Sequence, residues 1–85
     1  VKLELPSRRL SVLIRELRLE RSWSQETLAE KAGLHRNFIS LIERGRNQPS
    51  VDSLFQIAAA FEMAAAEMVE RISISSDVTN KPEAQ

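Results

Sequence analysis

The chain has no cysteine, which excludes disulfide staples, thiolate metal sites and cysteine nucleophiles. That composition suits a reducing cytoplasm, where we expect the chain to reside. Histidine occurs once, at position 35. One imidazole with no second ligand beside it makes no metal site, and no Ser–His–Asp group can be argued around it. Glycine occurs twice, too rarely for a phosphate-cradling loop, and the acidic residues fall on solvated helix faces. Neither catalysis nor a metal or cofactor is therefore expected. No apolar run approaches the ~20 residues of a membrane helix, and no secretory leader pattern opens the chain. At 85 residues one domain is expected, near the lower size at which a core forms without staples.

Net charge is lacking too, since twelve Lys/Arg offset twelve Asp/Glu. A neutral chain is a poor first candidate for nucleic-acid binding, but the distribution points the other way. Residues 1–50 hold ten Lys/Arg and six Asp/Glu, giving +4; residues 51–85 hold two and six, giving −4. A basic working face with an acidic remainder would produce this asymmetry, and so would a mixed solvated surface.

What the chain does have is helical periodicity, clearest from Ser24 to Gly45, SQETLAEKAGLHRNFISLIERG. Leu28, Ala29 and Ala32 give one short segment its face; Ile39 and Ile42 give the next. Gly33 lies between them, where a sharp turn needs a residue that tolerates positive φ. Ala29, four residues earlier, is small enough to let the second helix cross closely. Ser24 can cap the first segment and Gly45 can end the second. Two helices joined by a tight glycine turn make a helix-turn-helix, the motif whose second helix enters the major groove of DNA.

Around this unit the spacing predicts helix 1 over 7–21 (Ser7 cap; Leu10, Leu13, Ile14, Leu17), with Val12 and Leu19 as a minor strip. Arg8, Arg9, Arg15 and Arg21 are expected to be solvated. Helix 2 is expected at 25–32, helix 3 at 36–44, and helix 4 from 51 to about 61. Trp23 with Leu28, Leu34 with Ile39, and Pro49 with Leu54 each match a hydrophobic staple across a cap position. A fifth helix is expected over 63–71, running on from helix 4 or bending away from it, because Glu62 and Ala64 stand where a stop and a cap would be. The domain is placed at 1–72. The polar tail 73–85 is expected to be disordered, with a short strand over Ile72-Ser73-Ile74 as the alternative. Val1 to Leu5 reads as a frayed arm.

Arg15-x-x-Arg18, Ser24-Gln25-Glu26-x-Leu28-Ala29-x-Lys31-Ala32-Gly33, Ile39-Ser40-x-Ile42-Glu43-Arg44-Gly45 and Pro49-Ser50-x-x-x-Leu54-x-x-Ile57-Ala58 together resemble the phage-repressor-type (XRE-like) helix-turn-helix family. Within it, the short length and the segment HRNFISLIERGRNQPS resemble the controller proteins of restriction–modification systems. The resemblance implies an all-α, five-helix, lambda-repressor-like DNA-binding domain that works on double-stranded DNA, usually as a symmetric homodimer. It also implies a partly buried ion pair between Arg18 and Glu43, and a phosphate contact at Gln25, which the start of a helix favours.

With Ile39 and Ile42 turned inward, 100° steps place Asn37, Ser40, Leu41 and Arg44 on the outer side of helix 3 and Arg36 at its leading edge. Arg36 is the first candidate for a base contact, since guanidinium can bond guanine O6 and N7 together; its plain alternative is a solvated arginine. Asn37 can read adenine or bond a phosphate. Ser40 offers clearance or a phosphate bond, and Leu41 either touches a thymine methyl or tucks under helix 2. Arg44, Arg46 and Asn47 are candidate phosphate contacts. Phe38 borders the core. Phe61, Met63, Met68, Val69 and Ile72 are expected at a dimer interface, because apolar residues there exceed what one small core needs. Glu26 and Glu30 form an exposed acidic side that could touch RNA polymerase. The leading expectation is a sequence-specific regulator of transcription on a pseudo-palindromic operator. The alternative is a protein-interaction module on the same scaffold, antirepressor-like or antitoxin-like.

Overall fold

A computed structural model describes residues 5–77. Five α-helices run through them: α1 Pro6–Glu20, α2 Gln25–Ala32, α3 Arg36–Glu43, α4 Val51–Ala60 and α5 Ala65–Asp77. Among the described residues there is no strand, so the fold is all-α. The arm over residues 1–4 and the tail over 78–85 lie outside the described residues.

Each helix starts where local chemistry allows. α1 begins one residue before the expected cap, with Pro6 in its first turn, where a missing N–H costs nothing. Ser7 is thus inside the helix, and its carbonyl accepts from Ser11 Oγ at 3.0 Å. Ser24 caps α2 by accepting from Thr27 N at 3.0 Å, and Ser50 caps α4 by accepting from Ser53 N at 3.1 Å. Either contact is worth about 1 kcal/mol. α3 has His35 at its cap position and no side-chain cap bond.

The first four helices all end the same way. The cap residue of α2, and the residue after the cap in the other three, turns left-handed, and the next N–H reaches back to the carbonyl five residues earlier. Trp23 N bonds Arg18 O, Leu34 N bonds Ala29 O, Arg46 N bonds Leu41 O and Met63 N bonds Ala58 O, at 2.8–3.1 Å. Gly33 (φ 72°) and Gly45 (φ 73°) take that conformation freely, but Ser22 (φ 57°) and Glu62 (φ 59°) take it with a side chain. Glu62 therefore acts as a stop without glycine. The expectation that helix 4 would run on into helix 5 or bend into it, and not break, is corrected: residues 61–64 separate them.

α2 packs on α3 and α4, α1 on α3 and α5, and α4 on α5. Ile14, Leu28, Ile39, Ile42, Ile57, Phe61 and Met68 are enclosed between them, each worth roughly 1.5–3 kcal/mol on burial. Two expectations fail at the C-terminal side. α5 starts at Ala65, not 63, and it continues through Ile72-Ser73-Ile74 to Asp77, so the segment expected as strand or tail is helical. Ile72 faces inward and its carbonyl accepts from Arg9 Nε at 2.8 Å, which ties α5 to α1. Arg9 is accordingly not a purely solvated arginine.

Candidate nucleic-acid interface

α3 is anchored from one side only. Ile39 and Ile42 are 0% and 1% exposed, while Arg36 and Asn37 at its leading tip are fully on the surface. Arg36 Nη1 donates to Asn37 Oδ1 at 3.4 Å, a long contact that sets the two side chains next to each other. One of five guanidinium donors is engaged there, so a bidentate approach to a base edge stays open. Ser40 and Leu41 are half-buried on the flank, and Phe38 is half-buried against the core. Arg44, Arg46 and Asn47 are exposed at the other end. The N–H groups of Arg46 and Asn47 both donate to Leu41 O, at 2.8 and 3.3 Å, which pins the loop to the last turn of α3.

Behind α3 lies an ion pair. Arg18 Nε donates to Glu43 Oε2 at 2.7 Å and Arg18 Nη2 to Glu43 Oε1 at 2.9 Å, a two-pronged contact with Glu43's side chain only 2% exposed. Arg18 Nη1 also donates to Trp23 O at 2.8 Å. The hydrogen bonds that Arg18 donates to Glu43 push the Arg18 pKa up, against desolvation and with further help from the Glu43 charge. Gln25 Nε2 donates to Glu43 Oε1 at 3.1 Å. The amide that could have reached a phosphate is therefore turned inward. What α2 offers to an anion is its terminal backbone N–H groups, with Gln25 locked to the ion pair beneath them.

The candidate dimer residues divide. Phe61, Met68 and Ile72 are 2%, 0% and 9% exposed within a single chain, so their side chains are core and cannot face a partner. Phe61 stacks on Trp23 with ring centroids 5.6 Å apart and planes 5° off parallel. Arg21 lies over both rings, at 5.6 and 5.0 Å, and donates to Leu17 O and Phe61 O. Arg21, expected to be solvated, is a clasp between the α1–α2 turn and the end of α4. Met63 is half-buried, and Val69 stays exposed. Sequence reasoning missed the outer face of α4. Val51 and Phe55 are exposed there, and Leu54, Phe55, Ala65, Ala66 and Val69 line an apolar groove of about 530 Å³. The available signal was Phe55, directly after Leu54 and off the stripe that Leu54, Ile57, Ala58 and Phe61 make; Val51, which that spacing groups with the stripe, is exposed instead.

A helix-turn-helix family model matches residues 14–68. A hypothetical transcription factor of Neisseria meningitidis is 32% identical over 80 residues, covering 86% of this chain and 76% of that protein. The control protein C.BamHI of Bacillus amyloliquefaciens is 36% identical over 64 residues, covering 74% of this chain and 79% of its own. Two other related regulators are much longer, the match covering 32% and 23% of their lengths. The restriction-modification controller protein C.Esp1396I, solved as a tetramer with its natural 35-base-pair operator, superposes with a TM-score of 0.74 and 31% identity, over 84% of this chain and 93% of that one. No helix among the described residues is long and apolar enough to cross a membrane. The chain belongs to the helix-turn-helix family, and its relatives there are DNA-binding transcriptional regulators and not enzymes.

Proposed function

We propose that the chain is a sequence-specific regulator that binds a pseudo-palindromic operator as a homodimer, in the manner of a restriction–modification controller protein, and that it works in the cytoplasm. The carrying observation is the one-sided anchoring of α3, with Arg36 and Asn37 free at its tip. In this reading Arg36, Asn37 and Leu41 face base edges and Ser40 gives clearance. Arg44, Arg46, Asn47 and the start of α2 fix register on phosphates. One such module contacts few base pairs, so two copies on half-sites about 34 Å apart are needed for useful affinity. Phe55 and Val69, which line the α4–α5 groove, and the half-buried Met63 are the surface for self-association. The exposed carboxylates Glu26 and Glu30 on α2 are left for a protein partner such as RNA polymerase.

Selection of bound duplexes from random DNA tests this directly. The expected outcome is one short motif recovered twice, inverted, at a fixed spacing. Recovery of no motif, or of unpaired half-sites only, contradicts it.

A further inference from the structure

An open cleft of about 610 Å³ lies between the first turns of α1 and the loop that follows α3. Ser7, Arg8 and Ser11 line it from α1, and Arg46, Asn47 and Gln48 from the loop. Among the described residues no Asp or Glu lines it. Arg8 and Arg46 are both exposed, and neither forms an ion pair among the described residues. Two guanidinium groups from elements remote in sequence thus share one polar hollow with no carboxylate of the described residues between them. Folding gathers like charge here in a chain that has acids enough to neutralise it, and a polyanion is the occupant that relieves the repulsion.

The cleft is also rigidly placed. Its loop side is held to the final turn of α3 by the two bonds to Leu41 O. Its helix side is held by α1, whose Leu10, Ile14 and Leu17 are core. The hollow therefore keeps a fixed position beside the helix proposed to enter the major groove, at the edge where a strand's phosphates would pass.

We infer that Arg8 is a DNA-phosphate contact outside the helix-turn-helix unit, closing with Arg46 on the phosphodiester backbone that flanks the groove entered by α3. This rests on the proposed DNA-binding function and adds to it a contact from α1. A phosphate contact of this kind carries no base information, and it shows instead in the dependence of affinity on salt.

The test uses the full chain, its selected operator duplex, and the variants Arg8→Gln and Arg8→Lys. For Arg8→Gln, the plot of log affinity against log salt is expected to be about 1.8 shallower than wild type, about 0.9 for each subunit of the dimer, so the wild-type advantage shrinks about twelvefold between 50 and 200 mM salt. Arg8→Lys keeps the wild-type slope, because a point charge suffices for a phosphate. Base preference is the same in all three proteins. If wild type binds its operator and Arg8→Gln has the same slope, the cleft takes no phosphate and this inference fails while the DNA-binding reading stands. If wild type selects no duplex and shows no salt-dependent binding, the DNA-binding reading itself fails.

Discussion

Glu43 illustrates how much of the interface depends on residues that never meet a ligand. It sits in the last turn of α3, where the helix dipole disfavours a carboxylate, and the two-pronged contact with Arg18 is what makes the position tolerable. Glu43→Ala strands the Arg18 guanidinium among buried neighbours and should cost about 3–5 kcal/mol in urea unfolding. The paired change Arg18→Met with Glu43→Leu should cost markedly less than Glu43→Ala alone, since no lone charge remains. A double variant as unstable as the single would mean that the pair acts through shape and not charge. The sign of the Arg18 shift also matters. Its pKa is raised from an already very high value, so its share of stability is present below that range and is lost only at extreme alkaline pH. No Arg18-linked loss is expected between pH 7 and 10. At this scale the sequence was informative about α3, because Ile39 and Ile42 fix the wheel and so place Arg36 and Asn37. It was not informative about Gln25 or Arg21. Whether a long polar side chain reaches outward or folds onto a neighbour depends on a carboxylate or carbonyl brought close by the tertiary fold, and no local pattern encodes that.

Helix ends make a second test, because four equivalent positions carry glycine twice and a side chain twice, Ser22 and Glu62. The left-handed conformation costs a side-chain-bearing residue about 1–2 kcal/mol relative to glycine, before the loss of glycine's extra chain entropy. Gly33→Ala and Gly45→Ala should therefore destabilise by about 1 kcal/mol, whereas Ser22→Gly and Glu62→Gly should stabilise by about 0.5–1 kcal/mol in thermal or urea melts. A Cβ at Gly33 would stand 3.5 Å from Gln56 Nε2 and one at Gly45 would meet nothing within 4 Å, so both costs come from the backbone and not from a clash. Destabilisation by Glu62→Gly would show that the turn holds the side chain for another reason. The same four positions explain which boundaries could be read in advance. Gly33 and Gly45 announce their stops. Ser22 and Glu62 do not, which is why the junction of α4 and α5 was expected to run on or bend and why α5 was placed two residues early. α5 was cut short for a different reason: Ile72-Ser73-Ile74 alternates like a strand over three residues, too short a window for periodicity to separate from a helix whose Ile72 packs on α1.

Across the whole molecule, zero net charge divides into a basic half that carries α1 to α3 and an acidic half that carries α4 and α5. That polarity suits a protein that meets phosphates on one side and its own copy, through a mostly apolar groove, on the other. Phe55→Arg places a charge on the groove without entering the core, since Phe55 is 60% exposed. It should leave the melting transition of dilute monomer nearly unchanged, shift sedimentation from dimer to monomer, and weaken operator binding by at least tenfold. Wild type that sediments as a monomer at high micromolar concentration would remove this surface from the account. Three of the expected dimer residues are core within one chain, because an apolar residue can belong to the core or to an interface and only the fold decides. Phe61, Met68 and Ile72 went to the core, while Phe55, one helical position away from a core residue, did not.

The central claim is that the tip of α3 reads bases, and the base-preference profile of Arg36→Ala against wild type tests it most directly. The substitution should cost ~1–3 kcal/mol per half-site of the selected operator and relax preference at one base pair in each, with the other positions unchanged. An equal loss on every sequence, or no loss at all, would contradict it.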